Sequence, residues 1–138
     1  MDAKEKAFEL AKEVRLRAYA PYSQYLVGSC FKLAGRDEYI SGCNVENASF
    51  GATICAERNA LVASVAKYGK KTELEFAVVV TKDDPPAPPC ALCLQVLAEF
   101  VGPDFPIYLG TPEKIVKKYL LKELLPISFT KFASNKSE

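Results

Sequence analysis

Cys55 stands two positions before Glu57 in "ICAERNA", and Cys90 and Cys93 form a C-x-x-C pair behind the prolines of "PPAPPC". The chain contains no histidine, so catalysis near pH 7 falls to carboxylate, thiolate, Lys, Tyr or a metal. Each cysteine group precedes a run with helical spacing. A helix N-terminus, with its free N–H groups and positive dipole end, favours a thiol as thiolate. Thiolates are zinc ligands, and three protein ligands leave a fourth tetrahedral position for water, the arrangement of a catalytic rather than a structural site. Zinc acidifies such a water from about 15.7 toward 7, and a nearby carboxylate can then carry protons to and from a substrate. On this reading Cys55, Cys90 and Cys93 hold Zn²⁺ and Glu57 moves protons. The plainer reading makes the cysteines small core residues and Glu57 a first-turn carboxylate favoured by the helix dipole.

The rest of the composition narrows what such a site would serve. A chain of 138 residues fits one domain with a real core. Formal net charge is +1, from 18 Lys and Arg against 17 Asp and Glu. That balance gives no strong positive field for nucleic acid and no basic track for a strand, so a small, nearly neutral ligand is expected. No apolar run reaches the roughly 18 residues of a membrane span, and "MDAKEKAFEL" lacks the apolar centre of a secretory signal. A cytoplasmic protein without a membrane partner is expected. Five cysteines, an odd number, read as reduced thiols or ligands rather than as a disulfide framework.

Several elements must position these groups. Ala7, Leu10, Ala11, Val14 and Ala18 recur at helical spacing, which predicts a first helix ending near Ala20 at "APYS". Residues 25–34 and 38–47, rich in β-formers and separated by "GRDE", predict an antiparallel hairpin. A helix is expected over 55–68, stopping at Gly69, then a buried strand over 74–81. "PPAPP" reads as a stiff loop ahead of a helix over 90–101, and 106–110 as a last regular strand. The pattern over 113–125 fits a helix, or a short strand followed by a short helix at 122–125, and leaves both open. The polar end, 134–138, is expected to be a mobile tail. Helices alternating with hydrophobic strands predict a layered α/β domain.

"CAE" with "PCALC" matches the zinc nucleobase deaminase pattern, in which the first ligand is His or Cys and the Glu is not a ligand. With "PYSQYLVGSC", "GCNVENASFGATICAERNAL", "PCALCLQVLAEF" and "KELLPISF" beside it, the chain resembles a cytidine deaminase of the small, all-cysteine, homotetrameric type. The resemblance implies a three-layer αβα sandwich around a mixed five-stranded sheet, occupying 1–133 as a single domain. It implies hydrolysis of cytidine and deoxycytidine to the uridine products and ammonia, as in pyrimidine salvage, in active sites shared between subunits. Glu57 would carry a proton from the activated water to the ring nitrogen and then to the departing amine.

The same likeness implies that Asn44 and Glu46 bind the ribose, that Tyr25 stands where the family packs Phe against the pyrimidine, and that Ala56 contacts substrate. Phe50 and Phe129 match aromatics that serve a neighbour's site, and Arg58 matches an arginine that hydrogen-bonds a zinc thiolate. Read alone, Asn44 and Glu46 are as compatible with a strand-end turn, Arg58 with a surface charge, and the aromatics with core or interface. Two positions depart from the family: Ala91 and Leu94 replace the usual Gly and Arg. Loss of that arginine is expected to leave the site more negative and its water less acidic. Two other functions share the chemistry. A blasticidin-type nucleoside antibiotic could be the deaminated substrate, or the cysteines could form a non-catalytic structural zinc module, which would need Cys30 or Cys43 as a fourth ligand. Otherwise Cys30 and Cys43 are expected in the core.

Overall fold

The computed structural model describes residues 1–130, so the proposed tail at 134–138 lies outside the described residues. Helix α1, Ala3–Arg15, starts at Asp2, whose side chain accepts from the Glu5 N–H at 2.8 Å, and it buries Ala7, Phe8 and Ala11. It is shorter than its apolar spacing predicts. After Arg15 the chain closes in tight turns, and Tyr19 leaves to pair with the 44–46 segment, its N–H donating to Asn44 O at 3.0 Å and its carbonyl accepting from Glu46 N at 2.8 Å. A bridge made by the tertiary fold thus ends a helix that local periodicity would have continued.

Strands β1, Gly28–Leu33, and β2, Tyr39–Cys43, form the expected antiparallel hairpin, turning at Gly35 with φ +74°. β1 begins three residues later than predicted. Residues 25–27 instead lie against the Asn44 side chain, which accepts from Val27 N at 2.9 Å and donates to Tyr25 O at 2.8 Å. Then come α2, Ala56–Tyr68, β3, Leu74–Val80, α3, Ala91–Ala98, and β4, Pro106–Gly110. α3 stops short of the predicted 101 because its last residues tighten into turns before Gly102 and Pro103. The open 113–125 segment resolves into β5, Ile115–Leu120, and the short α4, Leu121–Leu124, whose Glu123 carboxylate caps Leu120 N at 2.7 Å. Antiparallel pairing with β4 satisfies a backbone edge that a helix there would have left open.

The five strands lie in the order β2-β1-β3-β4-β5, with only β3 and β4 parallel. Because side chains alternate along a strand, Cys30, Phe76, Val78 and Val80 pack with α1 on one face. Phe31, Ala77, Val79, Ile107 and Leu109 meet Leu61 of α2 and Leu94 and Leu97 of α3 on the other. The result is the three-layer α/β sandwich with a mixed sheet.

One glycine decides how closely α2 lies on the sheet. A Cβ at Gly42 would sit 2.5 Å from Ala60 N and 2.8 Å from Ala56 O, both backbone atoms that cannot rotate away. Gly42→Ala is expected to lift α2 from β2 and lower folding stability by about 3 kcal/mol, read as a reduced midpoint in urea unfolding.

Candidate active site

The start of α2 is delivered to the sheet by a closed excursion. Val45 and Ile54 exchange backbone hydrogen bonds of 2.9 Å in both directions, and Asn59 Nδ2 donates to Cys43 O at 2.8 Å. These bonds bring Asn44 and Glu46 alongside Cys55. Ser29, buried in β1, donates to Ala56 O at 2.9 Å and fixes the first turn of α2 against the sheet. α3 follows the loop that leaves the end of β3, so the N-termini of α2 and α3 meet beside the C-terminal end of that strand.

Cys55 is the N-cap residue of α2 and Cys90 that of α3, and neither side chain caps its own helix. Both thiols are therefore available to a common centre, with Cys93 one turn further along α3. The three Sγ atoms lie within 4.8 Å of one another, Cys55 to Cys90 at 3.8 Å and Cys90 to Cys93 at 3.5 Å. A tetrahedral ion with Zn–S bonds of about 2.3 Å separates its sulfurs by about 3.8 Å, so this donor set fits zinc. Cys30 sits in the core on the α1 side and Cys43 belongs to β2, and neither joins the group. A closed four-thiol structural module is not formed.

Electrostatics favour a thiolate at Cys55. The Cys55 thiol is held down to about 5 because the Cys93 thiol and the Arg58 guanidinium both donate to it. Cys93, buried and donating to Cys55, is pushed well above the usual thiol range. Arg58 Nη2 approaches Cys55 Sγ at 3.4 Å, and its buried Nε has no hydrogen-bond partner among the described residues. Leu94 packs into the apolar cluster with Phe31 and Leu61. Position 94 therefore offers the thiols no donor, which leaves Arg58 as the cation beside them.

Cys55, Cys90, Glu57 and Ala56 line one end of a cleft of about 320 Å³; Tyr25, Asn44 and Glu46 line the rest, with Thr81 and Pro88 among the walls. Burial, reinforced by the neighbouring Cys55 thiolate, pushes the Glu57 carboxyl up to about 7. Glu46 accepts from the N–H groups of Tyr22 and Ser23 at 3.0 Å each and from the Ser23 hydroxyl, and these bonds hold it below the usual carboxylate range. A carboxylate has about four acceptor sites and an amide NH₂ two donors. After these bonds Glu46 keeps one acceptor site and Asn44 one donor for a ligand.

Of the expected substrate-binding residues, two lie outside the cleft. Phe50, 75% exposed, packs edge-on against Tyr22 over a neighbouring hollow that also reaches Glu46. Phe129, 63% exposed, is held through its backbone, with Gln95 donating to its carbonyl at 2.6 Å and accepting from its N–H at 3.3 Å. Sequence reasoning missed Ser23, Ser29 and Thr81, because an ordinary Ser or Thr in a strand or turn carries no spacing signal. A larger hollow of about 500 Å³ lies against Glu73, Glu75 and Asp104 near the start of β3. It contains no thiol or catalytic pair, so chemistry rather than volume picks the site.

Comparisons with known proteins agree with this geometry. Residues 1–109 match the family described as the cytidine and deoxycytidylate deaminase zinc-binding region. A cytidine deaminase of Halalkalibacterium halodurans is 40% identical over 120 residues, covering 87% of this chain and 89% of that protein. One from Sporosarcina psychrophila is 36% identical over 127 residues, covering 92% and 91%. The crystal structure of cytidine deaminase from Burkholderia pseudomallei superposes with a TM-score of 0.84 at 36% identity, covering 91% of this chain and 98% of that one.

Proposed function

The chain belongs to the cytidine deaminase family of zinc-dependent hydrolases, and from that premise we propose how its cleft works on cytidine and deoxycytidine. The reaction consumes water and yields the uridine product and ammonia. The observation that carries this reading is the cleft lined by Cys55, Cys90, the buried Glu57 carboxyl and the polar pair Asn44 and Glu46, with Cys93 clustered beside the two thiols.

Cys55, Cys90 and Cys93 would hold the zinc. When bound, zinc acts as a Lewis acid that makes water a nucleophile near neutral pH. Glu57, at the second residue of α2 and pushed up to about 7 by burial, would carry one proton of the attacking water to the pyrimidine ring nitrogen and then the second, from the hydroxyl added to the ring carbon, to the departing amine. The Ala56 N–H at the first helical position has no partner within α2 and would donate to the pyrimidine carbonyl. Asn44 and Glu46, with one free donor and one free acceptor, orient the sugar hydroxyls. The Tyr25 ring packs beside the base, and Arg58 offsets the negative charge of the thiolates.

The lining also selects the class of substrate. Glu46 and Glu57 line the cleft, and among the described residues no Lys or Arg does. A nucleoside 5′-phosphate would bring a dianion with no counter-charge. Its kcat/KM is therefore expected to be at least about 100-fold below that of the free nucleoside, read as ammonia release from deoxycytidine against deoxycytidine 5′-monophosphate. Equal turnover of the two would overturn the nucleoside reading.

The single domain over 1–133 would assemble as a homotetramer in the cytoplasm and serve pyrimidine salvage. Exposed Phe50 and Phe129, together with exposed Leu16, Tyr19 and Tyr22, support an assembly in which neighbouring copies cover these rings and complete each other's clefts. No helix among the described residues is long and apolar enough to cross a membrane.

A further inference from the structure

The loop between β3 and α3 supplies Cys90 and forms one wall of the cleft, yet its ten residues, 81–90, have no regular structure. Its hydrogen bonds show what fixes it. Thr81 is buried, its N–H donates to Gly110 O at 3.1 Å, and its Oγ1 accepts from Ala87 N at 3.2 Å, which folds the loop back on its own root. Tyr25 donates through its hydroxyl to Asp83 Oδ2 at 2.6 Å, and Lys82 Nζ lies 5.6 Å from the centre of its ring. Two successive residues, Lys82 and Asp83, thus converge on one side chain of the opposite wall. A phenylalanine ring would fill the same volume but could not make the hydroxyl contact to Asp83.

We infer that Tyr25 is a positioning residue that acts through its hydroxyl, latching the 81–90 loop across the cleft so that both walls are preformed around the nucleoside. The inference rests on the deaminase reading for its effect on turnover, but not for its effect on the loop. The Ala87 N–H donates to Thr81 Oγ1 at the root of the loop, and the Tyr25 hydroxyl donates to the Asp83 carboxylate across the cleft. The bond to Asp83 ends on a charge, which strengthens it. Without the latch, the wall must be ordered when substrate enters, and that cost falls on binding rather than on the proton transfers.

The test compares Tyr25→Phe, Asp83→Ala, Asp83→Asn and the double variant Tyr25→Phe with Asp83→Ala, each with measured zinc content. Tyr25→Phe and Asp83→Ala are each expected to raise KM for cytidine about five- to twentyfold with a much smaller change in kcat. Amide exchange over 82–88 should accelerate at least about tenfold. Asp83→Asn, which keeps an acceptor oxygen, should recover most of the loss, and the double variant should be no worse than either single one. Unchanged KM and exchange in Tyr25→Phe overturn the latch, as does a double variant whose loss is the product of the two single losses. If the unaltered protein deaminates no nucleoside, the deaminase reading fails, and the exchange data alone still decide the latch.

Discussion

Glu57→Gln is expected to lower kcat for cytidine by about 10⁴-fold or more while the protein keeps its zinc and its fold. That loss corresponds to about 5.5 kcal/mol of transition-state stabilisation. Glutamine matches the shape and can hydrogen-bond, but it can neither take up nor release a proton at neutral pH. The reaction needs protons at two atoms in succession, the ring nitrogen and the departing amine, so one missing acid–base group affects both steps. No second group is available to compensate. The chain has no histidine, and Glu46 is bound to the Tyr22 and Ser23 amides at the sugar end of the cleft. Single-turnover rates alongside zinc content decide the matter. Activity within tenfold of the unaltered protein would assign the proton transfers elsewhere, and loss of zinc would make Glu57 a ligand.

Cys90→Ser should give a folded protein that no longer retains zinc. Structural zinc sites bind with about 10–16 kcal/mol shared among four ligands, so losing one thiolate is expected to weaken the affinity by at least about 10²- to 10³-fold and to abolish turnover. The fold should survive for reasons particular to this position. Cys90 is exposed, and its thiol makes no capping bond to α3. Serine is a better N-cap than cysteine, so α3 should gain rather than lose stability. Competition with a chelator gives the affinity, and the circular dichroism spectrum and melting temperature report the fold. A variant that bound zinc as tightly as the unaltered chain would remove Cys90 from the metal site. A variant that lost both metal and fold would give the zinc a structural role as well.

The chemistry of this protein lies close to the surface of its sequence. Zinc ligation depends on the helix N-termini that carry the thiols, and the spacing of Cys55, Glu57, Cys90 and Cys93 declares those termini because capping and helical phase act over three or four residues. The same locality explains why the hairpin, α2 and β4 could be placed within a few residues, and why the stop at Gly69 was visible. Where an element is decided by a partner far along the chain, local pattern fails. α1 ends at Arg15 rather than near Ala20 because Tyr19 pairs with residues 44–46. The 113–125 segment becomes strand then helix because β4 has an open edge to fill.

The site divides in the same way. Residue types alone gave the expectation that the thiols suit zinc and, from the spacing to Cys55, that Glu57 carries protons. Only the tertiary structure shows that Asn44 holds residues 25–27 in place with its own amide, or that Leu94 is committed to the core and leaves Arg58 beside the thiols. Only it joins Tyr25 to Asp83, 58 positions apart. A side chain's chemistry is intrinsic and travels with the sequence. Which groups it can reach depends on the path of the backbone, and that path is set by the packing of the whole sheet and its helices.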